Sequence, residues 1–321
     1  MAVSDSRTPP RDLVKKVLDA FLVLAEGDVT GPLKPLADAG AVWSPLVGDS
    51  LDGLKAVVHA ASIPYILTLD RVQHSRFDRF HASTRIRMLA RVEPHAGLSE
   101  EYETLALNES LKLMNEFLKT EEGSNYVRDS VVWELGRALE KPDVCEASAE
   151  LLVQALISTW AIFEVFTSSF LITILNNNPG QAAQVCAGVE YKRHFGKPLV
   201  DLDAISLHGF DLSKSMGTIL FGQRRLDGLN AVKDMLGAAL PFESVRSALN
   251  SKTLWILNQR RHLLVHKRGL IDAEYVRNTG DELPIGSRLR IRSTDVEGYL
   301  TAVRDTILAI VSAAPETKGK G

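Results

Sequence analysis

Two histidines and a run of cationic side chains crowd into one short stretch, Arg260-Arg261-His262-Leu263-Leu264-Val265-His266-Lys267-Arg268-Gly269. A neutral imidazole takes a proton from a hydroxyl near neutral pH, and a guanidinium holds charge that grows on phosphoryl oxygens. The combination suits phosphate chemistry. His266 and His262 could move protons, Arg261 could hold charge on phosphoryl oxygens with Arg260 in support, and Lys267 and Arg268 could contact further phosphates.

The spacing predicts that a helix from about Lys252 carries these groups. At roughly 100° per residue, Arg261 falls between Leu254, Leu257, Leu264 and Val265, inside an apolar stripe from which a guanidinium cannot retreat to water. His262 and His266 lie on an adjoining face with Asn258 and Gln259, and Gly269 is placed to end the helix. In a straight helix Arg261 and His266 are about 140° apart and about 7.5 Å apart in rise, so one copy places them poorly around a single phosphate. A two-fold dimer would supply a second arginine and a second histidine.

The same residues have a plainer reading. Arg261 could serve a buried ion pair, and His266 could interact with the dipole at the helix C-terminus. The i, i+4 spacing of His262 and His266 also suits a metal ion. Four flanking cations crowd that position, however, and only Asp272 and Glu274 beyond the helix end could add a ligand, so no metal and no cofactor is expected.

Arg261, then the polar His262, three further residues, His266, and soon afterwards Gly269-Leu270-Ile271-Asp272 together resemble the signature of the HEPN superfamily. Upstream lies a long apolar helix with Glu164 as its one acid, and between them the stretch Phe221 to Leu240 reads helical, which is similar to the family's usual order. The resemblance covers Ala147 to Ala313. Lys267 stands where many members carry Asn. The resemblance implies an all-α bundle, usually dimeric, and a metal-independent endoribonuclease that cleaves RNA by 2′-hydroxyl attack. It implies a toxin or phage-defence effector, a homodimer with a neutralising protein partner. Other members of the superfamily are inactive, and the alternative is a catalytically silent HEPN-like binding or scaffold module.

Glu164 belongs to the same argument. A carboxylate in an apolar helix and an arginine in an apolar stripe are each costly alone, and pairing offsets part of the desolvation. Glu164 is therefore expected to orient Arg261, although a cavity or a dimer seam would also accommodate it.

Around this site the chain of 321 residues reads as helical nearly throughout, in two parts: a helical region over 1–140, a HEPN-like bundle over 141–313 and a loose tail over 314–321. The expected elements are helices over Leu13–Ala25, Leu51–Leu69 with Pro64 as a kink or break, Glu103–Leu118 and Tyr126–Leu139, with a turn at Glu121–Asn125. From Arg71 to Arg91, basic and aromatic residues interleave as on an amphipathic helix with a charged outer side. In the second part come a helix to about Leu175, a shorter one over Gln181–His194, one over Leu226–Leu236, and the motif helix. Leu283–Arg292 alternates apolar and basic residues like a short strand, and a capping box at Thr294–Glu297 opens a last helix to about Ser312.

The formal net charge of −3 argues against wholesale polyanion binding, so any nucleic-acid contact must be local. Arg260, Arg261, Lys267, Arg268, Arg277, Arg288, Arg290 and Arg292 gather in one segment that could supply it. Two cysteines, Cys145 and Cys186, make neither a disulfide framework nor a zinc set, which fits the cytoplasm, and Met1 to Arg11 lacks a signal pattern. Ala155 to Leu175 is long enough to span a bilayer, but Glu164 near its middle and the absence of Lys or Arg between Lys141 and Lys192 favour the centre of a bundle, with no membrane contact.

Overall fold

The computed structural model describes residues 8–90, 100–197, 200, 202–222, 224, 226 and 228–314. The readings of Met1–Arg7, of Arg91 and of the tail from Pro315 lie outside the described residues. In chain order the helices are α1 (Arg11–Ala20), α2 (Glu26–Thr30), α3 (Lys34–Ala37), α4 (Ser44–Leu89), α5 (Glu100–Leu118), α6 (Glu121–Ala138), α7 (Pro142–Asn177) and α8 (Pro179–Ala187). They continue as α9 (Val189–Phe195), α10 (Leu202–Ser206), α11 (Met216–Phe221), α12 (Gly228–Ala239), α13 (Glu243–Leu249), α14 (Lys252–Lys267), α15 (Ala273–Thr279) and α16 (Ser293–Ser312). Among the described residues the fold is all-α, without a strand.

Contacts divide the chain into two compact units. One holds Val23 and the residues before it together with Ser62–Ser148, and the other holds Leu24–Ala61 together with the residues from Ala149 onward. A cut after residue 140 therefore misplaces 24–61. The physical reason is that Val29, Leu33, Val47 and Leu54 are buried in the second unit, where α2 packs on α16 and Arg304 Nη1 donates to the Asp28 carbonyl at 2.8 Å. Pairing over such a sequence distance leaves no local mark in the chain.

In the first unit α1 packs on α6 around Val17, Phe21, Val72, Val127, Val131, Val132, Leu135 and Leu139. Gly136 permits this approach: a Cβ there would lie 2.6 Å from Leu13 Cδ1. The basic and aromatic run falls on α4, with Arg71, Arg79, Arg85 and Arg87 exposed. Arg76 turns its guanidinium among aromatics instead, 4.5 Å from the Phe117 ring, 4.8 Å from Tyr126 and 4.9 Å from Phe80.

Several local expectations need correction. Of the kink or break expected at Pro64, the break is absent: α4 continues through Pro64 from Ser44 to Leu89. The turn between α5 and α6 is not at Glu121–Asn125, because Thr120 caps α6 by accepting the Gly123 amide at 3.0 Å. Gly188 splits the helix expected over Gln181–His194 into α8 and α9. Gly237 does not end α12, which runs to Ala239.

The second unit gathers α12, α13, α14 and α16 with the apolar length of α7, which buries Trp160, Phe163, Phe166, Phe170 and Leu171. By length and composition α7 could cross a membrane, and half of its most apolar stretch is buried within the molecule.

Candidate functional site

Ser251 opens α14, and the helix ends at Lys267 with Arg268 in the left-handed region at φ 53° and Gly269 following at φ 74°. The Gly269 amide closes the end on the Leu263 carbonyl at 3.0 Å. The glycine does sit at the stop, but the first left-handed position is occupied by Arg268, where a Cβ is strained.

Beyond that end, Leu283–Arg292 does not form a strand. It meets 269–271 through one isolated antiparallel bridge, Leu270 with Arg288. The pairing stops because Asp272 immediately caps α15, its Oδ1 accepting the Tyr275 amide at 2.8 Å. The alternation itself holds in burial: Leu289 and Ile291 are inside while Arg288, Arg290 and Arg292 are exposed. α16 opens two residues earlier than the expected box, with Arg292 as N-cap and Asp295 Oδ2 accepting the Arg292 amide at 3.0 Å.

The nearly enclosed guanidinium on α14 is Arg260, not Arg261. Only 12% of its side chain is exposed, against 30% for Arg261. Arg260 donates from Nη1 to the Tyr299 hydroxyl at 2.8 Å and from Nε to the Tyr275 hydroxyl at 3.2 Å, with Asp295 at 3.3 Å and Asp281 at 3.4 Å. Burial alone would lower its pKa, but the two phenols and Asp295 outweigh it and raise the value. The apolar stripe is centred on Leu257 and Leu263, and Val265, one of the four residues that place Arg261 inside it by spacing, is 47% exposed.

Arg261 does meet Glu164. Nη2 lies 3.8 Å from Oε2, an ion pair without a hydrogen bond, and both side chains are 30% exposed. His262 and His266 are exposed with ring centroids 4.7 Å apart, tilted by 44°. Partial burial, then the positive neighbours His266, Lys267 and Arg261, hold the His262 pKa below the ordinary imidazole value, against the opposing charge of Glu274.

Lys267 differs from its expected role as an RNA contact. Its ammonium is taken up by Asp272 and by Glu274 Oε2, the latter at 3.2 Å, and these bonds raise its pKa. Arg268 is exposed. No three His, Cys, Asp or Glu side chains converge as a metal-ligand set among the described residues.

The sequence alone assigns no role to Trp255. It lies two turns before His262 on the same side of α14, held through its indole nitrogen, and the only signal available was its position in the helical repeat. No family model matches the chain, and no curated protein or solved structure matches it at a significant level.

Proposed function

We propose that this protein is a metal-independent endoribonuclease of HEPN type that works as a homodimer, in the setting of a toxin or phage-defence effector. The observation that carries the reading is the exposed, closely spaced His262–His266 pair, on the helix where Arg261 lies 3.8 Å from Glu164. His266 removes the proton of a ribose 2′-hydroxyl, the 2′-oxygen attacks the adjacent phosphorus, and the bond to the 5′-oxygen breaks. Arg261 stabilises the charge on the non-bridging oxygens. The leaving 5′-oxygen takes a proton from a second imidazole, supplied by the partner copy.

The test is incubation of purified protein with unstructured RNA in EDTA, beside His266→Ala. Cleavage by the parent and none by the variant supports the assignment. Equal rates would remove His266 from the site. Sedimentation should find a dimer at micromolar concentration, and a fully active monomer would remove the two-copy geometry.

A second reading has its own observation. Asp272 and Glu274 neutralise Lys267 and set two carboxylates beside the histidines, a poor surface for a phosphate. This favours a silent HEPN-like binding module, in which parent and His266→Ala alike leave RNA intact.

A further inference from the structure

One side of α14 forms a continuous polar and aromatic ladder. At about 100° per residue, Trp255, Gln259, His262 and His266 fall within about 60° of one another around the helix axis. α15 packs alongside α14. Trp255 Nε1 donates to the Asn278 carbonyl at 3.1 Å, and Asn278 Nδ2 donates to Gln259 Oε1 at 3.3 Å. These bonds fix the orientation of both side chains, yet both remain partly exposed. Because the Gln259 oxygen already accepts a bond, its amide N–H groups are what it can offer to a ligand. Lys233 of α12 brings its ammonium to 5.8 Å from the centre of the Trp255 ring.

Trp160 is enclosed at 1% exposure, whereas Trp255 is partly exposed. Trp255 has its polar edge satisfied, its side chain partly exposed, a cation over one face of its ring and a hydrogen-bond donor one turn away. This is the set of groups that holds an unpaired nucleotide: a ring for the base, a donor for the base edge and a cation for the phosphate. The seven residues from Trp255 to His262 rise about 10.5 Å along the helix, so the stacked base belongs to a neighbour of the nucleotide that meets the histidines.

We propose that Trp255, Gln259 and Lys233 form a ledge for single-stranded RNA, with one unpaired base stacked on the Trp255 indole, an amide N–H of Gln259 donated to that base, and Lys233 against the adjoining phosphate. The substrate class rests on the ribonuclease reading. Duplex RNA is excluded because its bases stack on one another and cannot reach the indole.

The experiment uses the full chain carrying His266→Ala, titrated into a fluorescently labelled single-stranded oligoribonucleotide and read by anisotropy. Adding Trp255→Ala should weaken binding about ten- to a hundredfold, the size of one base–aromatic stack. Trp255→Phe, which keeps a stacking ring, should stay within a few-fold of the starting affinity. Lys233→Gln should weaken binding and reduce the salt dependence by about one phosphate contact. The duplex form of the same RNA should bind more weakly than the single strand. Folded Trp255→Ala that binds like its parent, Trp255→Phe as weak as Trp255→Ala, or duplex bound as tightly as single strand would each overturn the ledge. Cleavage by the parental chain alongside Trp255-independent binding removes the ledge and keeps the ribonuclease. Trp255-dependent binding without parental cleavage keeps the ledge and removes the ribonuclease.

Discussion

Arg260 donates to the Tyr299 hydroxyl at 2.8 Å, and this bond ties α14 to α16 through a guanidinium that is almost closed off from water. Removing the arginine leaves Asp281 beside the Tyr275 phenol without its cation, while Asp295 keeps Arg292 at 3.4 Å. Arg260→Ala should therefore cost about 3 to 5 kcal/mol of stability, as expected for an uncompensated charge in an enclosed site. Tyr299→Phe should cost about 1.5 to 3 kcal/mol, the range for a hydrogen bond to a charged group. Urea unfolding followed by circular dichroism measures both, and a neutral Arg260→Ala would show that the cluster adds nothing to the fold.

The same cluster gives the protein an alkaline limit. Burial first, and then its hydrogen bond to Asp281, push the Tyr275 hydroxyl up to about 12, against the pull of Arg260. An unfolded tyrosine ionises near 10. Between those values the unfolded chain loses a proton that the folded chain keeps, so the stabilisation is complete below pH ~10 and is lost as pH rises toward 12. The melting temperature should fall over that window, and Tyr275→Phe should flatten the slope.

Arg261 and Glu164 predict the opposite pattern, large in activity and small in stability. At 3.8 Å and 30% exposure on each side, the pair is worth no more than about 1 kcal/mol. Arg261→Ala should abolish RNA cleavage while lowering the unfolding midpoint only slightly, and Glu164→Gln should reduce the rate without abolishing it. Loss of activity that tracks loss of fold in Arg261→Ala would return Arg261 to a structural role.

Arg268 sits in the left-handed region, where glycine is unstrained. Arg268→Gly should raise stability by about 1 kcal/mol and, by deleting an exposed cation beside the site, weaken RNA binding. A destabilised Arg268→Gly would mean that the arginine side chain makes the turn favourable in a way its geometry does not explain.

The motif helix was legible because its signals are local: 3.6-residue spacing along it and Gly269 beyond the end. The same is true of the all-α class and of the end of α16. The assignment of the two arginines was not legible. They are adjacent, so the choice turns on where the apolar stripe is centred, and Leu264 and Val265 point to a face that packing leaves partly open. The Tyr275, Tyr299, Asp281 and Asp295 partners that select Arg260 come from three later segments, and nothing in the local pattern of α14 announces them. Glu164 was found because a lone acid in an apolar helix requires a partner wherever it lies in the sequence.

Attack by the 2′-oxygen has consequences that can be read from the products. If His266 removes the 2′-proton, cleavage must leave a 2′,3′-cyclic phosphate and a 5′-hydroxyl, and DNA and 2′-O-methylated RNA must be inert. The rate should be unchanged by EDTA. The acid limb of the pH profile carries a second signature. His262 is held below the ordinary imidazole value, near 6.5, first by burial and then by His266, Lys267 and Arg261, so it remains neutral into more acidic solution than a free histidine. If its neutral form is required, the rate persists below pH ~6.5 before falling, and stability falls with it, because the unfolded chain binds that proton first. Glu274→Gln removes the one opposing charge and should move the limb further toward acid. Chromatographic identification of the termini and a pH–rate series on parent and Glu274→Gln measure these outcomes. Cleavage of DNA, or 3′-hydroxyl products that appear only with added Mg²⁺, would replace 2′-oxygen attack with metal-assisted hydrolysis.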